Sequence, residues 1–233
     1  MSTVIETANT ILKERDSFAA IAYINSLGEI QAMEAYHDLA LHLYNEEHDV
    51  GGLVTVSRAG IQYGLMAAES LKGSDLALAE QVRAKAKGLA YNLAANTWPG
   101  WDDPVSISAG DMTAGLDAAR ANLRLADELN KDDLPRSRAY WMLGAQLLAH
   151  RRFGESLAAF GEAARYARAA GAPGEELLSD GFQIVTAQLG GLEPPARLPT
   201  MEALKAKLAN LEDGPMFAGQ VDTALRVFSA KEP

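Results

Sequence analysis

The chain has 233 residues and contains no cysteine, only four histidines and few aromatic residues, which make up 7% of the total. The absence of cysteine excludes disulfide bonds, thiol nucleophiles and thiolate metal sites. The histidines lack the spacing of zinc ligands, and His37 and His42, five residues apart, lie on different sides of a helix. The chain has no glycine-rich phosphate loop, nucleophile elbow or kinase signature. The sequence therefore predicts a protein that is not an enzyme and that uses no metal or cofactor.

Basic residues are also scarce, because 21 lysines and arginines stand against 31 acidic residues and give a formal net charge of −10. The excess of acid is largest in residues 1–75, which contain eleven acidic and four basic side chains. An acidic surface repels the phosphates of nucleic acids and anionic lipids, so neither nucleic acid nor a membrane is expected as a partner. No apolar run approaches the roughly 18 residues of a membrane-spanning helix, and residues 1–16 lack the pattern of a secretory signal. We expect a cytoplasmic protein.

Alanine and leucine dominate the hydrophobic residues, and this composition favours helices over sheets. Apolar residues recur with a helical period nearly everywhere, including the β-prone stretch Gly52–Val56. The breaks fall at glycine, proline and short polar clusters, of which 72–75 and 99–104 are the clearest. Ser108 and Asp111 resemble a capping box that opens a helix. The sequence predicts an all-α fold of about ten helices, joined by short turns into antiparallel pairs.

The stretch from Tyr140 to Ala163 carries the most specific pattern in the chain. Its spaced positions are Tyr140, Leu143, Gly144 and Leu147, followed by Ser156, Phe160 and Ala163. This pattern resembles the tetratricopeptide repeat, a helix–turn–helix unit with W-x2-L-G-x2-Y and then A-x3-F, over residues 135–171. The departures from the family pattern are Tyr140 for tryptophan, Leu147 for tyrosine and Ser156 for alanine. Small residues such as Gly144 would let the two helices approach, while larger ones such as Phe160 would fill the seam.

Weaker copies of the pattern occur upstream. Leu39 and Leu93 take the place that Leu143 has in the first helix of its pair, and these leucines are 54 and 50 residues apart. The family period is about 34 residues, so the repeats are irregular and their helices long. The resemblance implies a right-handed solenoid of antiparallel helix pairs, forming a single domain over residues 1–233. Its parts would be N-terminal capping helices over 1–28, repeats over 29–190 and C-terminal capping helices over 200–233.

The resemblance also implies a concave face, lined by the first helix of each pair, that binds a protein or peptide. Side chains two places before the repeat leucine, and three or four residues to either side, would form this groove. They are Glu34, His37 and Tyr44 from the first pair, Tyr91 and Trp98 from the second, Arg138 and Trp141 from the third, and Trp101 from the insertion. The alternative is that Tyr91 and Trp141 pack between repeats. Capture of a peptide carboxylate is not expected, because Leu41, Ala95 and Ala145 occupy the places where such domains have asparagine.

The insertion Trp98–Asp103 places two tryptophans around Pro-Gly and in front of two acids. It is either a lip over the groove or a loop packed onto the helices. Two further hypotheses are a small-molecule-binding or catalytic protein, with a pocket holding Arg138 and His37 under this insertion, and a self-associating two-fold dimer. A basic cluster would bind an acidic peptide or a phosphate, or else form a solvated helix face. Its members are Arg136, Arg138, Arg151 and Arg152.

Overall fold

A computed structural model describes residues 3–230, and within this range the chain is all-α, as predicted. Its eleven α-helices are α1 Thr3–Glu14, α2 Ser17–Asn25, α3 Glu29–Asn45, α4 Val50–Leu71, α5 Leu76–Asn96, α6 Ala109–Glu128, α7 Asp133–Ala149, α8 Phe153–Ala169, α9 Pro173–Gly190, α10 Met201–Leu208 and α11 Gly214–Ser229. A short 3-10 helix, Pro99–Trp101, stands between α5 and α6. The β-prone stretch Gly52–Val56 lies inside α4, as expected. Residues 1–2 and 231–233, the outer ends of the predicted capping segments, lie outside the described residues.

Local side chains fix several helix ends. The Asp75 carboxylate accepts a 3.0 Å hydrogen bond from the Leu78 backbone N–H and caps α5. The predicted capping box of α6 is present, since the Ser108 hydroxyl accepts from the Asp111 N–H and the Asp111 carboxylate accepts from the Ser108 N–H. After α8, Gly171 has a φ of 67°, a conformation that glycine adopts without strain. These signals span only three or four residues, which is why the sequence predicts the boundaries well.

The described helices form two compact units. The first contains residues 3–97 and 104–129, with α1 to α6, and the second contains residues 98–103 and 130–230, with the 3-10 helix and α7 to α11. In the first unit each helix from α3 to α6 packs against the next, and α3 also touches α5. In the second unit α8 packs against both α7 and α9, and α10 and α11 pack on α9. This packing within each unit fits the predicted helix pairs, whereas a solenoid over the whole chain stays a prediction.

In the first unit, two glycines of α4 allow close approach of its neighbours. A Cβ added to Gly60 would lie 2.6 Å from both Tyr36 Cγ on α3 and Leu89 Cδ2 on α5. A Cβ added to Gly64 would lie 2.8 Å from the sulfur of Met33. Both distances are shorter than real Cβ contacts, so only glycine fits without a shift of the neighbours. The close contacts of α4 therefore lie about two and three turns beyond Gly52, near the start of the helix.

In the second unit, α7 and α8 meet at the predicted residues. A Cβ on Gly144 would lie 2.9 Å from the ring of Phe160, and the Ser156 hydroxyl donates a 2.8 Å hydrogen bond to the Gly144 carbonyl. The Ser137 hydroxyl donates to the Ala163 carbonyl at the same distance. These contacts confirm the predicted approach of the two helices. The repeat leucines Leu39 and Leu93 are buried in the first unit, while Leu143 is only half-buried in the second.

Candidate functional site

All three tryptophans belong to one aromatic cluster in the second unit. The Trp98 ring centroid lies 4.7 Å from that of Trp101 and 5.7 Å from that of Trp141, both in edge-on geometry. Phe182 of α9 lies 5.1 Å from Trp141, and Phe228 of α11 lies 5.9 Å from Trp98. Such arrangements add about 0.5–1.5 kcal/mol per pair beyond the burial of apolar surface. The cluster therefore joins α7, α9 and α11 to the 3-10 helix.

The predicted groove has to be corrected at these tryptophans. Trp98 is 1% exposed and Trp141 is 6% exposed, so the structure places both indoles in the interior, where they offer no surface to a partner. The insertion packs onto the helices, since its 3-10 helix contacts both α7 and α11. Within the insertion, Gly100 lies against the Trp98 ring, where any Cβ would overlap the indole. Near the C-terminal end of the insertion, Asp102 forms a 2.8 Å ion pair with Arg226 of α11. The packing alternative, rather than the lip, describes this segment.

The predicted groove residues of the first unit differ in exposure. Glu34 is exposed and accepts a 3.0 Å hydrogen bond from Lys85, which links α3 to α5. His37 and Tyr91 are half-buried, and the His37 ring is 3.0 Å from the Asp38 carboxylate. Tyr44 is buried, which contradicts its expected place on an open groove. Three of the four residues therefore keep accessible surface, and their role in binding stays a prediction.

Two arginines of the predicted basic cluster, Arg138 and Arg152, have separate acidic partners. Arg138 of α7 donates through Nε to Glu175 of α9 at 2.8 Å. Arg152 donates through Nε to Glu155, in the first turn of α8, at 2.7 Å. Exposed pairs of this kind contribute about 0–1 kcal/mol each. The geometry fits the solvated alternative for these two arginines.

An apolar opening in the first unit lies between α2 and α4, and we call it the α2–α4 groove. Its volume is about 570 Å³. The apolar side chains that line it are Ile21, Ala59, Tyr63, Met66, Ala67 and Leu71. Met66 is 63% exposed, and Phe18, one turn before Ile21 on α2, is 82% exposed. Large apolar side chains that remain exposed beside an apolar opening are typical of an interaction surface.

One end of the α2–α4 groove is polar and fixed by a hydrogen bond. The Tyr36 hydroxyl donates to the Asn25 side-chain carbonyl at 2.7 Å, so the C-terminal end of α2 is held against α3. Burial and the Glu29 carboxylate together raise the pKa of Tyr63, whose ring lies 6.1 Å from that of Tyr36. Glu29 and Asn25 both line the opening. The groove thus combines an apolar floor with one carboxylate.

This groove was not predicted from the sequence, although one feature of α4 indicates an additional contact surface. Helix α4 carries apolar residues on more than one face, since Leu53 and Val56 are buried while Met66 is exposed. A helix with more apolar positions than its neighbours cover leaves part of its surface for another contact. The position of α2 against α4 was the missing information, because it depends on packing rather than on local spacing.

A polar cluster in the first unit joins α1 to the end of α3. The Glu47 carboxylate accepts hydrogen bonds from Asn9 at 2.7 Å and from Lys13 at 2.6 Å, and His42 Nε2 lies 3.0 Å from the same oxygen. Burial raises the pKa of Glu47, but these hydrogen bonds outweigh it, so the pKa lies below its ordinary value. The carboxylate therefore binds α1 in its ionised form. Among residues 3–230, no three histidine, aspartate or glutamate side chains are grouped as metal ligands.

Across the part of the chain that the structure describes, no helix is both long enough and apolar enough to span a membrane. Comparison with known proteins adds no family: no protein-family model matches the sequence, and no curated protein shows significant similarity to it.

Proposed function

We propose that this protein is a non-enzymatic scaffold that binds a peptide segment of another protein in the α2–α4 groove. The observation that carries the proposal is the apolar opening lined by Ile21 and Met66. Met66 and Phe18, which lies one turn before Ile21 on α2, are both more than half exposed. Keeping two such side chains in water loses about 1.5–3 kcal/mol each relative to burial. A partner that covers them recovers this free energy.

The groove also defines the chemistry of the partner. A volume of about 570 Å³ accommodates a few large side chains, as in the anchoring of an amphipathic helix by residues one turn apart. Glu29 lines one end, and the surrounding residues 1–75 carry eleven acidic and four basic side chains. Charge complementarity therefore favours a segment that combines apolar anchors with lysine or arginine.

A related proposal follows from the resemblance to the tetratricopeptide repeat, in which the first helices of neighbouring pairs form a binding surface. Here these helices would be α3 and α5. The contact of α3 with α5 and the Glu34–Lys85 pair bring the first helices of two predicted repeats side by side. On this proposal Glu34, His37 and Tyr91 form a second, more polar contact surface. The two surfaces are separable by mutation, since they use different helix faces.

The direct test is to pan a random-peptide phage library against the purified chain, and then to measure the affinity of the enriched peptides. We expect peptides with spaced apolar residues and an excess of lysine or arginine. Met66→Glu should weaken their binding by tenfold or more, equivalent to at least about 1.4 kcal/mol. Leu76→Glu is the matched control, because Leu76 is exposed to nearly the same extent, 62% against 63%, but does not line the groove.

The binding results for these variants distinguish the α2–α4 groove from the face of α3 and α5. Equal loss of binding in Met66→Glu and Leu76→Glu would indicate a general surface effect and reject the groove. If Tyr91→Ala lost peptide binding and Met66→Glu retained it, the binding surface would be the face of α3 and α5 and not the α2–α4 groove. No enrichment on the native chain, together with a Met66-dependent mass change in analytical ultracentrifugation, would identify a second copy of the chain as the occupant.

A further inference from the structure

The second unit contains a groove of opposite character, which we call the arginine groove. It runs along α8 opposite the connector that follows α9, and its volume is about 650 Å³. Three of its lining residues are arginines, Arg165, Arg168 and Arg197, and one is acidic, Glu162. In a chain with a net charge of −10, three guanidinium groups around one opening are an exception to the overall composition.

Arg197 is anchored by two polar side chains of α9. Its Nη1 donates to Asp180 Oδ1 at 2.9 Å and its Nη2 donates to Gln183 Oε1 at 3.1 Å. Gln183 is 1% exposed and donates in turn to Asp180, which is also buried. The Arg197 side chain itself remains 44% exposed. These bonds use two of its five N–H groups, so a fixed guanidinium presents the others towards the groove or solvent.

Arg165 and Arg168 are also held in place. Arg165 donates to Glu162 through Nε and Nη2, at 3.0 and 2.7 Å, and lies 3.9 Å above the Tyr166 ring. Arg168 donates through the same two nitrogens to Glu176, at 2.9 and 2.6 Å. Because each guanidinium is already oriented, an incoming anion has less side-chain entropy to remove. The Nη1 groups of both arginines take no part in these bonds.

The groove floor leaves room between the arginines. Gly154, Ala158 and Gly161 line it along α8, and a Cβ on Gly161 would reach only van der Waals distance of Gln183, 3.6 Å. Leu157 and Pro195 supply apolar surface beside the charged groups. The volume lies within the range of about 300–1,000 Å³ that is typical of small-ligand sites.

We propose that the arginine groove binds a small molecule that carries a phosphate group. The phosphate would sit between Arg197 and the arginines of α8, because guanidinium donors match pairs of phosphate oxygens. Glu162, Glu176 and Asp180 already pair with these arginines, so the phosphate would use donors outside those ion pairs, the Nη1 groups of Arg165 and Arg168 among them. A phosphate monoester carries about −1.5 to −2 charges near pH 7, which strengthens such charge-assisted hydrogen bonds. The rest of the ligand would lie on Leu157, Ala158 and Pro195. This site is independent of the α2–α4 groove, which belongs to the other unit.

The test uses arginine Nε signals in NMR spectra of the full chain, titrated with inorganic phosphate and with phenyl phosphate at constant ionic strength. We expect saturable shifts at Arg165, Arg168 and Arg197, with none at Arg152, a half-buried arginine that does not line the groove. Arg165→Gln should raise the dissociation constant at least fivefold, whereas Arg152→Gln should leave it unchanged. Arg165 is exposed, so its replacement leaves the buried Asp180–Gln183 pair intact.

The two probes distinguish the sources of the ligand chemistry. Tighter binding of phenyl phosphate indicates a phosphate ester with an apolar part, and equal binding indicates a site for free phosphate. Linear shifts of similar size at Arg152 and at the groove arginines would overturn the proposal, because they show only non-specific association of phosphate with arginine. Unchanged affinity in both Arg165→Gln and Arg197→Gln would also overturn it.

Discussion

Replacing Gly144 by alanine tests the central contact of the second unit. Alanine is the better helix former by about 1 kcal/mol, so in an open position this change stabilises a helix. At Gly144, however, the new Cβ would lie 2.9 Å from the ring of Phe160, which is fully buried and packs 5.1 Å from the Phe182 ring. Overpacking of this kind costs about 1–3 kcal/mol.

The balance gives a Gly144→Ala protein that is less stable by about 0–2 kcal/mol. Gly219→Ala is the matched control in the same unit, because a Cβ on Gly219 meets no atom within 4 Å. That variant should be more stable by about 0.5–1 kcal/mol, from the lower conformational entropy of its unfolded chain. The two substitutions are chemically identical, so their difference of about 0.5–3 kcal/mol isolates the clash.

Urea unfolding followed by tryptophan fluorescence is the appropriate assay, since all three tryptophans belong to the second unit. Gly144→Ala should move the fluorescence midpoint to lower urea, and Gly219→Ala should move it to higher urea. If both variants raised the midpoint by the same amount, Phe160 would not lie against Gly144 and the packing of α7 on α8 described above would be wrong.

Two further predictions concern the acid response and the aromatic cluster. Because the folded pKa of Glu47 is lowered, its contribution is complete above the ordinary glutamate pKa of about 4.3 and disappears as the pH falls through the lowered value. The protection of α1 amides from hydrogen exchange, measured against the intrinsic rate at each pH, should fall in that acidic range. Glu47→Gln should already show low protection at pH 7 and little further change. Trp98→Ala should destabilise the second unit by about 3–5 kcal/mol in urea unfolding and leave peptide binding in the α2–α4 groove unchanged. If the Trp98→Ala protein were as stable as the native protein but lost peptide binding, Trp98 would be a binding residue and not a core residue.

The helices were predictable because their signals are local. The Asp75 cap and the capping box of Ser108 and Asp111 each act over three residues, so the sequence contains the whole interaction. The meeting of Gly144 with Phe160 was predictable for a related reason, since a short turn forces α7 and α8 into contact. Close packing then selects the small residue opposite the ring.

The tryptophans could not be placed from the sequence, because their surroundings come from distant parts of the chain. The resemblance to the tetratricopeptide repeat implies that Trp141 lies on the groove-facing stripe of α7, two places before Leu143. In the structure that stripe is covered by the 3-10 helix, which brings Trp101 to 5.8 Å from Trp141. A Trp-Pro-Gly-Trp sequence is the same whether it forms an open lip or a packed turn. Only the contacts with α9 and α11 decide between them.

The arginine groove was missed for the same physical reason. Arg197 lies in a proline-rich connector, and its anchors Asp180 and Gln183 stand 17 and 14 residues earlier on α9. The spacing of Arg165 and Arg168 in the sequence is typical of a solvated, charged helix face. The predicted basic cluster contained Arg138 and Arg152 instead, which are close along the chain but pair with separate acidic residues.

Burial of the tryptophans changes which surfaces can carry function. With Trp98 and Trp141 inside the second unit, the aromatic residues expected to hold a peptide are used to stabilise the fold. In the first unit, exposed apolar side chains accompany an apolar opening, since Met66 lines the α2–α4 groove and Phe18 lies one turn before its lining residue Ile21. That unit holds sixteen acidic and nine basic residues, so it favours a basic partner. Peptide binding and anion binding therefore require opposite charges on the ligand, and each is expected in a different unit.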